Sequence, residues 1–390
     1  MICRSCSFKR INCISLIYLY YTWFIFEVQG IMEDLKVRNE INKRLLQKTI
    51  LEEYPVYMQM DLLNFLEKEK LIHKNSRKKK SENLLDVTEI PTVRKRLEFI
   101  FEKLNNIYRK CEEFEYLRAY RYFTIFKFNE IKDNIIDELL DDESIIKYGE
   151  DEFISFTAQK PTVKIENSKI IFKFNFYLTS KDDKDDKIKY PVLVVLDKQE
   201  KIVEIRLDSV KFKYKDKEKF YKENIDKVKA WIESILKINV ETIDFQAISK
   251  YIKENKSDEV IITALKMRRN GTMAVLDSAS NEFLTIPILG ELKELLKEND
   301  EMFLKNEDTK GIKNILDKFI KNIEETSELP SVKILWHEKK IKIVVLEAYK
   351  DSDYSLLKLL DELKDGECMD YVTEYLIKCE KENRRQLYSD

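Results

Sequence analysis

Residues Tyr190–Tyr214 read YPVLVVLDKQEKIVEIRLDSVKFKY. An apolar run, Val192–Leu196, is followed by a polar DKQEK segment and then by strict alternation. Val203, Ile205 and Leu207 occupy odd positions; Val210, Phe212 and Tyr214 occupy even ones. Side chains on a strand repeat every two residues, so the first phase is a strand with one apolar face. The change of parity requires an extra residue at Asp208–Ser209, as a bulge or a strand break. The stretch is therefore a β-hairpin, and it sets the fold class of everything downstream.

Working outward, SKIIFKFNFYL (168–178) has Phe172, Phe174, Phe176 and Leu178 alternating with Lys173 and Asn175. This predicts a half-buried strand, joined to the hairpin by the charged loop SKDDKDDK (180–187). Downstream, helices are expected at about 216–237 and 241–254. The segment EVIITALKMRRNGTMAVLDS (259–278) then gives a second hairpin turning at Asn270–Gly271, a strong hairpin signal because both residues tolerate positive φ. Helices at about 288–298 and 309–325 precede a third hairpin, SVKILWHEKKIKIVVLEAY (331–349), turning at Glu338–Lys340. Helices at about 353–364 and 367–384 close the chain. The order β-β-α-α thus occurs three times. Leu207, Leu276 and Leu346 are spaced by 69 and 70 residues, and the triplet LDS occurs at 207–209 and 276–278. A threefold ββαα repeat is the expectation.

Upstream, from Glu33 to about Leu140, the period is 3.6. One helix runs up to Pro55, a second covers 57–70, a longer one runs from Thr92 through Tyr122, and NEIKDNIIDELLDDES (129–144) forms another. Acidic residues and Gly149 interrupt the pattern near 141–151. The expected fold class is α+β: a helical N-terminal domain (33–145) followed by a larger domain (150–390) of antiparallel β-hairpins alternating with helix pairs.

The chain has 390 residues, enough to bury a full core. Its 70 Lys and Arg nearly balance 72 Asp and Glu, which excludes a uniformly basic nucleic-acid coat but not a local basic patch. Cys111, Cys368 and Cys379 are the cysteines of the body; the last two stand about 16 Å apart along one expected helix, too far to bridge. Unpaired thiols point to a reducing compartment, and the localisation read here is cytoplasmic. Residues 1–31 are different in kind. Cys3, Cys6 and Cys13 accompany an uncharged run, Ile11–Phe26, preceded by Arg4, Lys9 and Arg10. A membrane anchor over 11–28 and a cleaved signal are alternatives. The favoured reading starts the native product at Met32, where a charged amphipathic helix begins.

Catalytic motifs are scarce. The sequence contains neither a phosphate-binding loop ending in Lys-Ser/Thr nor G-x-G-x-x-G, and no Ser flanked by glycines as in a nucleophile elbow. His73 and His337 are the histidines of the chain, and no metal or cofactor is expected. The aspartates of SKDDKDDK are interrupted by lysines and lack a glycine, so a solvated loop explains them better than a calcium site. Asp197 and Glu204 on the hairpin could hold Mg²⁺ in a metal-dependent nuclease, but alternation with Val203 and Ile205 aims Glu204 at water. Trp231 and Trp336 have apolar neighbours and are assigned to the core.

The segment YMQMDLLNFLEKEKLIHKNSRKKKSENLLDVTEIP (57–91) is a helix, a basic loop and a short apolar segment. It resembles the recognition helix and wing of winged-helix DNA-binding domains. That resemblance implies that helix 57–70 reads the groove while Lys74, Arg77, Lys78, Lys79 and Lys80 touch phosphate. Asp61, Glu67 and Glu69 depart from it, because they make the helix acidic. Lys266, Arg268 and Arg269 at the Asn-Gly hairpin are a second basic site. The function read from the sequence is a non-catalytic interaction protein associated with DNA or RNA. The alternatives are a nuclease-like enzyme and a membrane-tethered scaffold, and a protein partner is compatible with any of them.

Overall fold

In the computed structural model, Asp197 turns the chain at the first hairpin. Its carboxylate accepts the backbone N–H of Gln199 (2.8 Å) and of Glu200 (3.0 Å), the local bonding that makes Asp a turn residue. The model describes residues 39–75, 83–149, 160–215, 219–269, 272–277, 289–360 and 365–387. On either side of this turn, β7 (Lys187–Asp197) and β8 (Ile202–Leu207) pair antiparallel, and β6 (Lys169–Thr179) adds to the far edge of β7. Beyond Leu207 the chain leaves the sheet, so the parity change at Asp208–Ser209 is a strand break rather than a bulge.

These strands belong to a twelve-stranded sheet. Before β6 lie β3 (Tyr122–Phe128), β4 (Ile146–Lys147) and β5 (Thr162–Glu166). After β8 come β9 (Val240–Thr242), β10 (Val260–Arg269), β11 (Thr272–Asp277), β12 (Glu328–Trp336), β13 (Ile341–Leu346) and β14 (Leu356–Leu359). The order is β11-β10-β12-β13-β14-β3-β8-β7-β6-β5-β4, with β9 also pairing with β3. A separate parallel pair is formed by β1 (Ile72–His73) and β2 (Leu85–Asp86).

Each face of the sheet has its own core. On one, α7 (Phe245–Asn255) and α11 (Gly366–Leu387) pack on Phe123, Leu193, Ile262, Ile334 and Trp336. On the other, α5 (Ile135–Asp141) and α6 (Phe220–Ile235) pack on Phe126, Phe172, Val194 and Ile205. Trp231 meets Phe172 and Phe174 edge-on. A third core joins the N-terminal helices: 39–48 (α1, continued by a π-helical turn at Thr49–Glu53), α2 (Val56–Lys68), α3 (Val93–Lys103) and α4 (Ile107–Leu117). A small fourth core joins α8 (Leu289–Glu298) to α10 (Glu307–Thr326), with α9 (Asp300–Phe303) between them.

The fold class is α+β, as the change of period indicates. Three expectations are corrected. The helix read through Tyr122 ends at Leu117, and Tyr122–Phe128 is a central strand. Phe123 and Ile125 face one core while Phe126 and Phe128 face the other. A strand buried on both sides loses its alternation and reads as a continuous apolar run. The same holds for β14, which replaces the helix expected at 353–364. The third unit is therefore β-β-β-α, and the threefold ββαα pattern does not carry through. Finally, β6 is buried on both faces from Ile170 to Asn175: Lys173 and Asn175 are as inaccessible as Phe172 and Phe174.

The cover on Lys173 is α4. Glu112 and Glu115 stand one helical turn apart and point at the sheet. Lys173 on β6 and Lys189 on β7 answer them. Lys173 bonds Glu112 and reaches Glu115 at 3.0 Å; Lys189 bonds Glu112 and reaches Glu115 at 2.6 Å. Tyr54 adds a hydroxyl to Glu115 (3.3 Å). Beside this quartet, Arg118 pairs with Asp208 at 2.5 Å and lies 4.0 Å from the Tyr120 ring centroid. Further along the same face Arg206 holds Glu204 and Asp370. Where α11 begins, a Cβ on Gly366 would come within 2.7 Å of the Leu117 carbonyl oxygen, so glycine permits the close approach of α11 to the end of α4.

Removing one member of a buried ion cluster leaves its partners desolvated and unpaired, at a cost of about 3–5 kcal/mol. Glu115→Ala should lose stability on that scale in urea unfolding, and a loss under about 1 kcal/mol would show the quartet to be incidental. The lysines hold the Glu115 carboxyl down at about 2 against burial that pushes it up. A depressed folded-state value stabilises above the unfolded value and is lost as pH falls through the folded one. Stability should therefore decline on acidification from about pH 4.5 to 2, less steeply in Glu115→Gln.

Candidate nucleic-acid interface

The basic residues singled out from the sequence separate into several environments. Lys74 follows β1 and turns back on α2, where it donates to Asn64 and lies 3.8 Å from Glu67. The acidic residues of α2 thus take up its charge. Arg77, Lys78, Lys79 and Lys80 lie outside the described residues. The strands flanking that loop, β1 and β2, run parallel, whereas a ribbon closed by a short loop requires antiparallel strands. That geometry departs from a wing. On α2, Met58, Gln59, Leu62, Leu63 and Leu66 are buried, which leaves Met60, Asn64 and Lys68 among the exposed positions.

At the second hairpin, Arg269 pairs with Thr272; the Asn270–Gly271 turn expected between them lies outside the described residues. Alternation then divides the three cations. Arg269 shares a face with Leu265 and Met267, and its guanidinium donates to Asn322 on α10 (2.8 Å). Lys266 and Arg268 lie on the opposite face with Met273 and Val275, their register partners being Val275 and Met273 respectively. Arg268 donates to Glu328 at 2.6 Å, but both side chains are 55% exposed. Such a pair contributes about 0.2–1 kcal/mol and opens readily. The helical layer docks on β6 and β7, six strand spacings from β10, or about 29 Å. Lys74, which turns back on α2 of that layer, and the hairpin cations therefore do not form one surface.

The hairpin does, however, have company that the sequence reading missed. On β12, Val332, Ile334 and Trp336 face the core, so Lys333 points the other way. On β13 the same holds for Lys342, and on β14 for Lys358. Lys266, Arg268, Lys333, Lys342 and Lys358 therefore share one face of four neighbouring strands, against Asp277 and Glu328. That face is half-exposed where its reverse is buried. Period-two alternation in SVKILWHEKKIKIVVL carries the signal for Lys333 and Lys342. Lys358 was hidden by reading its strand as a helix.

The carboxylates considered for a metal are otherwise engaged. Asp197 and Glu204 lie on the same sheet face, with Val195 opposite Glu204 and Ile202 opposite Asp197. Glu204, expected in water, is buried because α11 covers it. It accepts from Arg206 at 2.8 and 3.0 Å and from Thr373 at 3.0 Å. Asp197 is used by its turn. Among the described residues no group of three or more His, Cys, Asp or Glu is arranged to hold a metal ion. In the SKDDKDDK loop, Asp186 is structural: Lys48 (2.6 Å), Lys213 (3.0 Å) and Tyr214 converge on it. Residues 11–28 are outside the described residues, and among the described ones no helix is long and apolar enough to cross a membrane.

Cys111, Cys368 and Cys379 are free thiols. Burial pushes Cys111 well above the usual thiol range and Cys379 up to about 11. The thiolate is the reactive form, so neither should alkylate with iodoacetamide at neutral pH until the chain is unfolded. Peptide mass spectrometry before and after denaturation reads this out, and rapid native labelling of Cys111 would contradict the packing around α4.

No protein-family model matches the chain, and no curated protein matches it significantly.

Proposed function

We propose that this chain is a non-catalytic interaction protein that associates with DNA or RNA through phosphate contacts, acting in the reducing cytoplasm. The observation that supports the reading is the half-exposed face of β10, β12, β13 and β14, where Lys266, Arg268, Lys333, Lys342 and Lys358 outnumber the carboxylates. Neighbouring strands space these cations at about 4.8 Å, so the patch is about 14 Å wide in a chain whose total charge is near neutral. A concentrated patch on a balanced protein draws a polyanion to one place. The aliphatic residues between the cations, Val344, Leu335 and Met273, suit backbone contact rather than base-edge readout. The free thiols accord with the compartment. The loop Arg77–Lys80 is a second contact in this reading.

Retention on duplex and single-stranded oligonucleotides, measured at several salt concentrations, tests it. Binding should weaken steeply with salt. Replacing Lys266, Lys333 and Lys342 together by Gln should reduce the slope of log K against log salt by about 0.7–0.9 per cation removed. Arg77, Lys78, Lys79 and Lys80 to Ala should give a separate reduction. Absence of binding at low salt would end the proposal.

A further inference from the structure

At the edge of the open face, Lys358 on β14 meets a second lysine from another part of the chain. Lys215 lies just before the first turn of α6, and its ammonium sits 4.9 Å from the ring centroid of Tyr221. The Lys358 ammonium sits 5.7 Å from the ring centroid of Tyr122, which starts β3 beside β14. The two tyrosine rings are 4.5 Å apart. The result is a pair of cations on a pair of adjoining rings, brought together from three segments of the chain. Both lysines are partly buried.

Many lysines of the molecule are paired instead with carboxylates. Lys169, Lys173, Lys189, Lys213, Lys222 and Lys256 each have a carboxylate within 3.0 Å. Among the described residues, neither Lys215 nor Lys358 has a carboxylate in ion-pair contact. Lys215 instead feels the charge of Lys358. Lys215 is depressed below the usual lysine range first by burial and then by Lys358. Two neighbouring like charges, partly out of water and with no carboxylate against them among the described residues, favour an anion between them. The α6 N-terminus, whose N-cap Lys219 offers no side-chain acceptor to the helix amides, adds its positive end beside Tyr221.

We propose that Lys215 and Lys358 form a phosphate-binding site, closed beneath by Tyr122 and Tyr221, at the α6 end of the open sheet face. The ligand chemistry is a phosphate monoester or diester bridged by two ammonium groups. Because Lys358 also belongs to the basic face, the inference rests on the nucleic-acid reading for the diester source. A free phosphate or nucleotide is the other source of the same chemistry.

Residue-resolved acylation of the full-length protein tests it, since an amine reagent attacks the neutral lysine and mass spectrometry reports each site. Lys215 should react faster than the exposed lysines of α10. Inorganic pyrophosphate, and separately a short oligonucleotide, should slow it. With ligand at about ten times its Kd, the rate at an occupied site falls about tenfold. Lys358→Gln should abolish the protection and also lower the unprotected rate of Lys215, because its repelling neighbour is gone. Lys358→Arg should keep both, and unchanged circular dichroism of the variants excludes unfolding. Protection by pyrophosphate without oligonucleotide retention would support the site with a small phosphate as ligand and sink the nucleic-acid reading. Oligonucleotide retention without protection of Lys215 would overturn the site and leave the sheet face standing. Lack of protection by either ligand overturns the site outright.

Discussion

Two lysines on neighbouring strands and two glutamates on one helix, all but sealed from water, hold the helical layer on the sheet. Without Glu112 and Glu115, the ammonium groups of Lys173 and Lys189 would be desolvated with nothing to answer them, a situation proteins avoid at almost any cost. The reverse is equally true of the glutamates. The quartet therefore acts as a registry device: α4 can seat on β6 and β7 in one position only, where its carboxylates meet the ammonium groups. An apolar contact of the same area would tolerate sliding. Much of the face near the quartet follows from this seating, including Arg118 between Tyr54 and Tyr120 and the approach of Gly366 to the end of α4.

Polar burial of this kind explains where the sequence could be read and where it could not. The hairpin at Tyr190–Tyr214 was legible because apolar alternation on β8 and Asp197 at the turn agree. The β10–β11 hairpin was legible because an Asn-Gly pair separates two apolar runs in the sequence. The half-burial expected of SKIIFKFNFYL failed because Lys173 and Asn175 read as solvent-facing until a partner element is known. No local signal tells a lysine that will meet water from one that will meet a glutamate from a helix some sixty residues away. Glu204 failed for the same reason, through Arg206 and α11.

The other misreadings have a different cause. Tyr122–Phe128 is covered on both faces, and Leu356–Leu359 sends Leu356 into one core and Leu357 and Leu359 into the other; apolar residues on both sides remove the alternation by which a strand is known. They are also the strands that join the two halves of the sheet: β14 and β3 connect the β10–β13 ladder to the β8–β5 ladder. The third unit of the apparent repeat gives up a helix to supply β14. A pattern resting on hairpins alone could reveal the two ladders, but not the strands between them. The basic face was half-hidden by the same error, since Lys358 can be assigned to it only once β14 is a strand.

Near-neutral total charge makes electrostatic function depend on pairing rather than on composition. With 70 basic and 72 acidic side chains, an average cation finds a carboxylate close by, and the ion pairs along α2, α4, α6 and α11 show it. A surface position gains meaning where that local cancellation fails. On the open face of β10–β14 it fails in part, with Asp277 and Glu328 set against a larger group of cations. At Lys215 and Lys358 no carboxylate among the described residues meets the ammonium groups, and tyrosine rings lie against them. Cation–π contact stabilises an ammonium without neutralising it. Aromatic rings therefore let the fold tolerate the two charges while leaving their attraction for an outside anion unspent. Tyr221 belongs to the buried core of that face and Tyr122 packs against it, so the rings build the sheet edge and hold the two ammonium groups without neutralising them.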